Sequence, residues 1–145
     1  MKSSNTTNQY TEAELRERLT AEQYHVTQQA GTERAYTGKY HDTKDEGTYH
    51  CIVCDEALFS SDAKYDSGTG WPSFWEPIND DSIENRTDRK MIIARTENLC
   101  SKCGAHLGHV FKDRSTPTKA RFCMNSASLN FVPAGDDTDT ETDAN

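Results

Sequence analysis

The stretch CSKCGAHLGHVFKD, residues 100–113, holds a Cys-x-x-Cys pair that is followed closely by two histidines. A second Cys-x-x-Cys pair stands upstream, at Cys51 and Cys54, and 45 residues separate the two pairs. Two such pairs supply four soft thiolates, and each pair favours a tight turn in which two sulfurs bind the same ion. The spacing therefore predicts one structural zinc that joins two hairpins, with Cys51, Cys54, Cys100 and Cys103 as its ligands.

The length and the ends of the chain bound the class of protein. A chain of 145 residues is the size of one domain that can bury its own core. The polar start MKSSNTTNQY lacks the apolar stretch of a secretory signal, and no run approaches the roughly 20 apolar residues of a membrane-spanning helix. We therefore expect a soluble, cytoplasmic protein, monomeric and without membrane contact.

The expected cytoplasmic compartment also affects how the paired cysteines are interpreted. In a reducing cytosol, paired cysteines are more often metal ligands or redox groups than structural disulfides. Two disulfides, or one redox-active Cys-x-x-Cys, are the alternatives to a zinc site.

The net charge of −8 is concentrated in the tail GDDTDTETDAN, which carries acidic but no basic residues. Such a tail buries too little apolar surface to offset its ordering entropy, so we expect it to be disordered. An acidic balance also argues against a nucleic-acid partner, whose phosphates attract clustered Lys and Arg. We expect a flexible N-terminus over 1–10, one domain over 11–133 and an acidic disordered tail over 134–145.

Local patterns predict a mainly β domain behind short helices. Residues 11–30 are rich in helix formers, with Leu15, Leu19 and Tyr24 near helical spacing and Gly31 as a stop, so one or two short helices are expected. From Thr48 onward, short β-type runs alternate with Gly, Pro, Asn and Asp clusters, which indicates a small antiparallel β domain. The runs are TYHCIVC (48–54), ALFSS (57–61), KMIIAR (90–95), HVFKD (109–113) and RFCMN (121–125).

A site closed by four thiolates has no open coordination position, so any chemistry must come from elsewhere. The fifth cysteine, Cys123, lies in RFCMN, where an extended strand puts Arg121, Cys123 and Asn125 on one face and Phe122 with Met124 on the other. A guanidinium beside a sulfur favours the thiolate, which is the nucleophilic form. The alternative is a buried structural cysteine.

Two further clusters are candidates for chemistry. His106 and His109 follow the second cysteine pair closely, and with Asp113 downstream to orient a ring they form a candidate general-acid group. The alternatives are zinc ligation or ordinary hydrogen-bonded histidines. The segment DSGTGWPSFWEPI, residues 66–78, is an aromatic loop that either packs into the core or lines a pocket.

Together, GTGWPSF, HLGHVF and RFCMNSASLNF, with the two cysteine pairs, resemble the peptide methionine-R-sulfoxide reductases, the MsrB family. The likeness runs from about Leu19, in LTAEQYHVTQQAGTERAYTGKY, to Pro133. It implies two antiparallel sheets in a β-tent-like fold, short N-terminal helices and a structural zinc. The site residues that it implies are the nucleophile Cys123, its neighbours Arg121 and Asn125, His106 and His109 with Asp113, and Trp71, which would pack against the substrate methyl. Phe74, in the same aromatic loop as Trp71, is a second candidate for substrate binding.

The resemblance also implies a reaction, reduction of the R epimer of methionine sulfoxide in oxidised proteins or peptides, in the repair of oxidative damage. A sulfoxide sulfur accepts a nucleophile when its oxygen is being protonated, so a thiolate and an acid must act together. Attack by Cys123 would release methionine and leave a sulfenic acid on the enzyme. Many family members place a resolving cysteine where this chain has Thr69, so thioredoxin or a small thiol is expected to reduce the sulfenic acid directly.

Two other functions are open from the residues alone. A zinc-stabilised, non-catalytic binding module would explain the four paired cysteines, but it leaves Cys123, the histidines and the aromatic loop without a role. A thiol peroxidase would use Cys123 but gives no role to Trp71.

Overall fold

The computed structural model describes residues 10–88 and 95–134. Two short helices come first, α1 (Glu12–Arg18) and α2 (Ala21–Gln28). Each begins at a threonine N-cap with a capping box, and the second cap, Thr20, divides the helical segment because its backbone is extended. The helical segment predicted from the sequence is therefore two helices.

Within the described ranges, nine short strands follow the helices, and the predicted mainly β fold is confirmed. They are β1 (Gly47–Cys51), β2 (Ala57–Ser60), β3 (Lys64–Tyr65), β4 (Ser73–Phe74), β5 (Ile83–Asp88), β6 (Arg95–Cys100), β7 (His106–Lys112), β8 (Ala120–Met124) and β9 (Leu129–Pro133). Each of the predicted β-type runs contains or overlaps a strand, except that KMIIAR lies outside the described residues apart from Arg95, which begins β6. The predicted flexible N-terminus and acidic tail also lie outside them, apart from Tyr10 and Ala134.

The strands form two antiparallel sheets. The smaller sheet has the order β2-β1-β9, and the larger has the order β3-β4-β8-β7-β6-β5. Strand β8, which carries Cys123, is therefore an interior strand, paired with β4 on one side and β7 on the other. Two hairpins, β1/β2 and β6/β7, turn at the two cysteine pairs, as the sequence predicted.

One aromatic core joins the two sheets. Phe74 of the larger sheet stacks on Phe59 at 4.4 Å and meets Tyr49 edge-on at 5.2 Å, both from the smaller sheet. All three side chains are fully buried. Burial of an aromatic side chain contributes roughly 1.5–3 kcal/mol, so this cluster fixes the position of β4 and of the loop before it. Helix α1 adds Leu15 to the same core.

Close approach of β7 to β8 depends on Gly108. A Cβ at this position would collide with the backbone carbonyl oxygen of Cys123 and with Cα of Met124. Since Gly108 pairs with Met124 in the register, the glycine lets the strand carrying Cys123 lie against the strand carrying both histidines. Among residues 10–88 and 95–134, no helix has the length and apolar character needed to cross a membrane.

Candidate active site and metal centre

The two cysteine pairs occupy turns of the same geometry. In the first, Asp55 N–H donates to the carbonyl of Cys51 at 2.8 Å, and in the second, Gly104 N–H donates to the carbonyl of Cys100 at 2.7 Å. Asp55 and Gly104 both adopt a positive φ, of 68° and 82°. A left-handed residue directly after each pair folds the chain back, so both sulfurs of a pair face the same point.

The four sulfurs of these turns form one cluster. Sγ of Cys51 lies 3.7 Å from Sγ of Cys103, and Sγ of Cys54 lies 3.6 Å from Sγ of Cys100. All four donor atoms lie within 4.8 Å of one another. These separations are well above the roughly 2.05 Å of a disulfide, and the cysteines are free thiols. The cluster can hold a metal ion.

Mutual hydrogen bonding shifts the four thiols in opposite directions. Hydrogen bonding with Cys100 is the main cause that raises the pKa of Cys51 and of Cys103 and lowers the pKa of Cys54. Hydrogen bonding with Cys103 is the main cause that lowers the pKa of Cys100. Two of the sulfurs thus favour the anion and two the thiol. A divalent cation would compensate the charge of further thiolates in this mostly buried cluster, and the donor set suits a soft metal.

Cys123 lies apart from this cluster, in the middle of β8. Its register partners are Ser73 on β4 and His109 on β7. The thiol is half-buried and opens on a small hollow of about 60 Å³. The hollow is also lined by Thr32, Trp71, Gly108, His109, Phe111 and Asn125.

The two faces of β8 differ as the alternation predicted. Met124 is fully buried, and Phe122 packs on Phe59 at 5.9 Å, so these side chains point into the core. Cys123 and Arg121 lie on the opposite face. Asn125, just past the end of the strand, lines the same hollow as Cys123.

The two histidines have different positions. His109 lines the hollow and faces Cys123 across the β7–β8 pair. His106 lies behind it, with a ring that meets the His109 ring edge-on at 5.4 Å and is only 3% exposed. Its Nδ1–H donates to the carbonyl of Val26 at 3.2 Å. Of the two rings, His109 is the one that borders the space in which a substrate could bind.

A buried carboxylate supports His106. Oε1 of Glu97 lies 3.4 Å from Nε2 of His106, and Oε2 accepts a hydrogen bond from Nε of Arg86 at 2.9 Å. Burial lowers the pKa of His106, and the charge of Glu97 opposes that shift. The donor atoms of Glu97, His106 and His109 lie within 4.8 Å of one another, but the guanidinium of Arg86 already neutralises the carboxylate.

A chain of hydrogen bonds fixes Trp71 and Asn125 on opposite sides of Glu33. Nε1–H of Trp71 donates to the carbonyl of Glu33 at 3.0 Å, and the backbone N–H of Glu33 donates to Oδ1 of Asn125 at 2.9 Å. Nδ2 of Asn125 in turn donates to the carbonyl of Leu107 at 2.9 Å. Both functional side chains are therefore held by backbone groups. Burial raises the pKa of the Glu33 carboxyl, one oxygen of which accepts from Ala127 N–H.

The aromatic loop divides between the hollow and the core. Trp71 is half-buried and lines the hollow. Phe74, a candidate for substrate binding from its place in the aromatic loop, is instead fully buried and stacked on Phe59 in the core. The reason is the strand alternation of β4, in which Ser73 turns towards Cys123 and Phe74 to the other face.

Asp113 and Arg121 form a small network with Tyr65, a residue that no sequence pattern singled out. Tyr65 O–H donates to Oδ2 of Asp113 at 2.7 Å, and Nη1 of Arg121 lies 3.5 Å from the same oxygen. Hydrogen bonds, from Ser115 first and then from Tyr65, lower the pKa of Asp113 to about 2. In the described residues Asp113 therefore orients Arg121 and Tyr65, whereas the sequence suggested a histidine ring. The guanidinium of Arg121 also lies over the Phe111 ring, 5.4 Å from its centroid.

Hydroxyl groups border the Cys123 sulfur on the side of β4. Oγ of Ser73 lies 3.6 Å from Sγ, and Oγ1 of Thr69 lies 3.9 Å from it. Ser67 connects the two, with its Oγ 2.7 Å from Ser73 and 2.8 Å from Thr69. Ser67, Thr69 and Ser73 lie within or close to the Gly-Thr-Gly stretch. Their closeness in the sequence is the one local pattern from which they could have been selected. Glu33 and Glu97 carried no comparable local signal.

Comparison with known proteins agrees with this architecture. Residues 19–133 match the SelR domain family. The chain is 55% identical over 128 residues to the peptide methionine sulfoxide reductase MsrB of Hahella chejuensis, which covers 88% of this chain and 92% of that protein. It is 53% identical over 123 residues to the MsrB of Thiobacillus denitrificans, which covers 85% of this chain and 93% of that one.

A eukaryotic relative extends the comparison. The mitochondrial methionine-R-sulfoxide reductase B3 of Mus musculus is 52% identical over 125 residues, or 86% of this chain and 49% of that protein. The match includes the segment with Trp71, the strand with both histidines and the strand with Cys123, all within residues 19–133. The chain therefore belongs to the SelR-domain family of peptide methionine sulfoxide reductases, which are oxidoreductases.

Proposed function

We propose that this protein reduces the R epimer of methionine sulfoxide in proteins or peptides to methionine, with Cys123 as the nucleophile. The observation that carries the proposal is the pairing of Cys123 with His109 on adjacent strands, both lining one hollow with Trp71. Such a hollow presents a sulfur nucleophile, a proton donor and an apolar wall to one small group. The name of the mouse relative, which specifies the R epimer, supports the choice of epimer.

The first step transfers oxygen from the substrate sulfur to the enzyme sulfur. The Cys123 thiolate attacks the sulfoxide sulfur and forms an S–S bond while a proton reaches the sulfoxide oxygen. The hydroxyl then moves to the Cys123 sulfur, as the substrate S–O bond and the new S–S bond both break. Methionine leaves, and Cys123 becomes a sulfenic acid. The substrate sulfur is reduced by two electrons and the cysteine sulfur is oxidised by two.

His109 is the proposed proton donor, because its ring borders the hollow and Cys123 lies opposite it. His106, behind it, would hold the His109 ring in place from a site buried against Val26 and Glu97. Trp71 would pack against the substrate methyl group, and Asn125 would close the hollow on the far side. Asp113 and Arg121 would set the charge near its mouth, where Phe111 lies below the guanidinium.

The second step regenerates the thiol. Two thiol groups of a reductant, from thioredoxin or from small thiols, would reduce the sulfenic acid to the thiol, with release of water and formation of a disulfide on the reductant. The chain has Thr69 where many members of the family have a resolving cysteine. Because four of the five cysteines belong to the metal cluster, Cys123 lacks a spare thiol partner in the chain.

Zinc is the metal proposed for the four-cysteine cluster. Four sulfurs around a tetrahedral zinc with Zn–S distances of about 2.3 Å would stand roughly 3.8 Å apart. The observed separations of 3.6 and 3.7 Å are close to that value. With all four ligands from the protein, such a zinc would join hairpins β1/β2 and β6/β7 and take no part in the reaction.

An assay with the two separated epimers of methionine sulfoxide in a peptide tests the proposal. The R epimer should be consumed in the presence of a thiol reductant and the S epimer should remain, and Cys123→Ser should consume neither. Turnover of neither epimer by the wild-type protein would favour a zinc-stabilised binding module. Undiminished turnover by Cys123→Ser would exclude Cys123 as the nucleophile.

A further inference from the structure

We propose that Ser73 and Thr69 donate hydrogen bonds to the sulfur of Cys123 and stabilise its anionic form, and that Ser67 is a positioning residue for both hydroxyls. The inference deepens the proposed function and rests on it, since it concerns the sulfur that is proposed to attack the sulfoxide. It assigns a role to three hydroxyl groups that the mechanism above does not use.

The geometry supports a graded pair of donors. Oγ of Ser73 is the closer, at 3.6 Å from Sγ, and Oγ1 of Thr69 is at 3.9 Å. Ser73 is fully buried, so its hydroxyl cannot turn to bulk water. Hydrogen bonds to a charged acceptor contribute roughly twice as much as those between neutral groups, so such donors favour a thiolate over a thiol.

The number of hydroxyl hydrogens limits which hydrogen bonds Ser67, Thr69 and Ser73 can make when the Cys123 sulfur is a thiol and when it is an anion. Each hydroxyl has one hydrogen, and that of Ser73 has two other acceptors within reach, the carbonyl of Trp71 at 3.0 Å and Oγ of Ser67 at 2.7 Å. While Cys123 is a thiol, its own hydrogen can point to Ser73, whose hydroxyl then donates to Trp71. When the sulfur is an anion, Ser73 and Thr69 can both rotate to donate to it, and Ser67 donates to one of them.

The turn that carries Thr69 is held in place by Tyr36. The backbone N–H of Tyr36 donates to the carbonyl of Gly70 at 2.8 Å, and its phenol donates to the carbonyl of Gly68 at 2.7 Å. Two hydrogen bonds thus hold the carbonyl groups of Gly68 and Gly70, the two glycines that flank Thr69. The backbone at Thr69 is therefore held beside the sulfur, and Ser67 orients its hydroxyl.

Other groups around Cys123 are charged or titratable, and the hydroxyl effect must be separated from theirs. They are His109 on β7, Asp113 after β7, Arg121 on β8 and Tyr65 on β3, and Tyr65 interacts electrostatically with Cys123. Removal of a hydroxyl from Ser73 or Thr69 alters none of these charges. A change in reactivity with pH in those variants would therefore report on the hydroxyls.

Alkylation of Cys123 by iodoacetamide tests the inference without using the sulfoxide reaction. Its rate would be followed by mass analysis of the peptide that contains Cys123, over a range of pH, for wild type, Ser73→Ala, Thr69→Val and Ser67→Ala. Ser73→Ala loses one hydrogen bond to the charged sulfur, so alkylation of Cys123 in this variant should be roughly tenfold slower than in the wild type near neutral pH. Alkylation of Thr69→Val should slow less, because the contact of Thr69 with the sulfur is longer. At high pH, where every variant is fully deprotonated, the rates should converge. Thr48→Val, in the smaller sheet, is the matched control and should follow the wild type throughout.

A pH profile of alkylation in Ser73→Ala and Thr69→Val that coincides with the wild type would overturn the inference. A merely structural role would lower thermal stability without moving that profile. If Ser73→Ala fails to fold, Thr69→Val and Ser67→Ala decide the question, since Thr69 and Ser67 are only partly buried and lie outside the strands and helices. The failure of the proposed function is a separate result, namely that Cys123→Ser still reduces the sulfoxide.

Discussion

The five cysteines of this protein occupy two kinds of place. Four lie in two equivalent turns, where a left-handed residue after each pair brings their sulfurs within 4.8 Å of one another. The fifth, Cys123, lies within an interior strand, and its neighbours are a histidine, a serine and a threonine. In the turns each cysteine sulfur lies beside other sulfurs, whereas in the strand the Cys123 sulfur lies beside hydroxyl groups and the strand that carries His109.

The difference shows that local backbone decides what a cysteine can do. A turn concentrates soft donors at one point, which suits a metal, and the charges of the thiolates can then be shared by the ion. A strand in a sheet gives a residue two register partners and one open face, so the same side chain meets varied chemistry on both sides and keeps one open side. Variants at each region should therefore fail in different ways.

The largest effect is expected from breaking the four-cysteine cluster. Cys103→Ser should lose the metal and about 5 kcal/mol or more of unfolding free energy, a large share of the roughly 5–15 kcal/mol that stabilises a domain. Cys103 is only partly buried, so the loss would reflect the metal more than packing. Metal content and thermal unfolding, measured on the same sample, check this. Cys123→Ser is the control and should keep both, and a Cys103→Ser protein that lacks metal yet unfolds at the wild-type temperature would contradict the structural role.

The next effect should appear at the strand site. His109→Gln should slow sulfoxide reduction roughly a hundredfold, since general-acid catalysis contributes about 10²–10⁴ in rate. It should leave Cys123 open to iodoacetamide, because the histidine acts on the oxygen of the substrate. Single-turnover kinetics and labelling measure the two quantities. His25→Gln, at an exposed position, should match the wild type, and a His109→Gln protein that reduces sulfoxide at the wild-type rate would remove His109 from the mechanism.

A third variant, Thr69→Cys, would place a second cysteine beside Cys123 in the strand site. Oγ1 of Thr69 is 3.9 Å from Sγ of Cys123, and both residues beside it are glycines, so a cysteine at position 69 is within reach. After one turnover without reductant, Thr69→Cys should hold a disulfide between positions 69 and 123, two hydrogens lighter than the starting protein. Intact mass analysis checks it. Accumulation of sulfenic acid in Thr69→Cys, with no disulfide, would count against the proposed closeness of the two residues.

The smallest effect concerns the hydrogen-bond and charge network of Asp113, Arg121 and Tyr65. Hydrogen bonds lower the pKa of Asp113 to about 2, below its usual value near 3.9, so the folded state binds its proton less readily than the unfolded state. Asp113 therefore contributes stability that is present above about pH 4 and is lost as pH falls through about 2. Asp113→Asn should show a shallower fall in melting temperature over that range than the wild type or the exposed control Asp62→Asn. Parallel curves for all three proteins would contradict the assignment.

Much of the metal centre could be predicted from the sequence because its geometry is local. The spacing of Cys51 and Cys54, and of Cys100 and Cys103, specifies two turns, and the structure places both at hairpin ends. The alternation in RFCMN likewise assigned Arg121 and Cys123 to one face of a strand. The spacing within each cysteine pair and the alternation along the strand are both set within a few residues, whereas the contacts between the two pairs join positions 52 and 46 apart.

The rest of the site depends on contacts that no local pattern contains. Glu33 binds Asn125 across 92 positions, and His106 binds Val26 across 80. The sequence pattern does not rank His106 and His109. The structure places one ring behind the other, because β7 carries one extra residue against β6 between its two histidines and because His106 bonds to Val26 of α2. Phe74 is predicted to contact substrate because it lies in an aromatic loop. In the structure, the alternation of the two-residue strand β4 points its side chain into the core.

The most direct test of the whole account is a single turnover followed by mass spectrometry. Metal-loaded protein would be mixed with one equivalent of a peptide containing the R epimer of methionine sulfoxide, without any reductant, and trapped with dimedone. The account predicts one methionine formed per chain and one dimedone adduct, on Cys123 alone, with the metal retained. Methionine formed without modification of Cys123, or oxidation of the paired cysteines with release of metal, would contradict it.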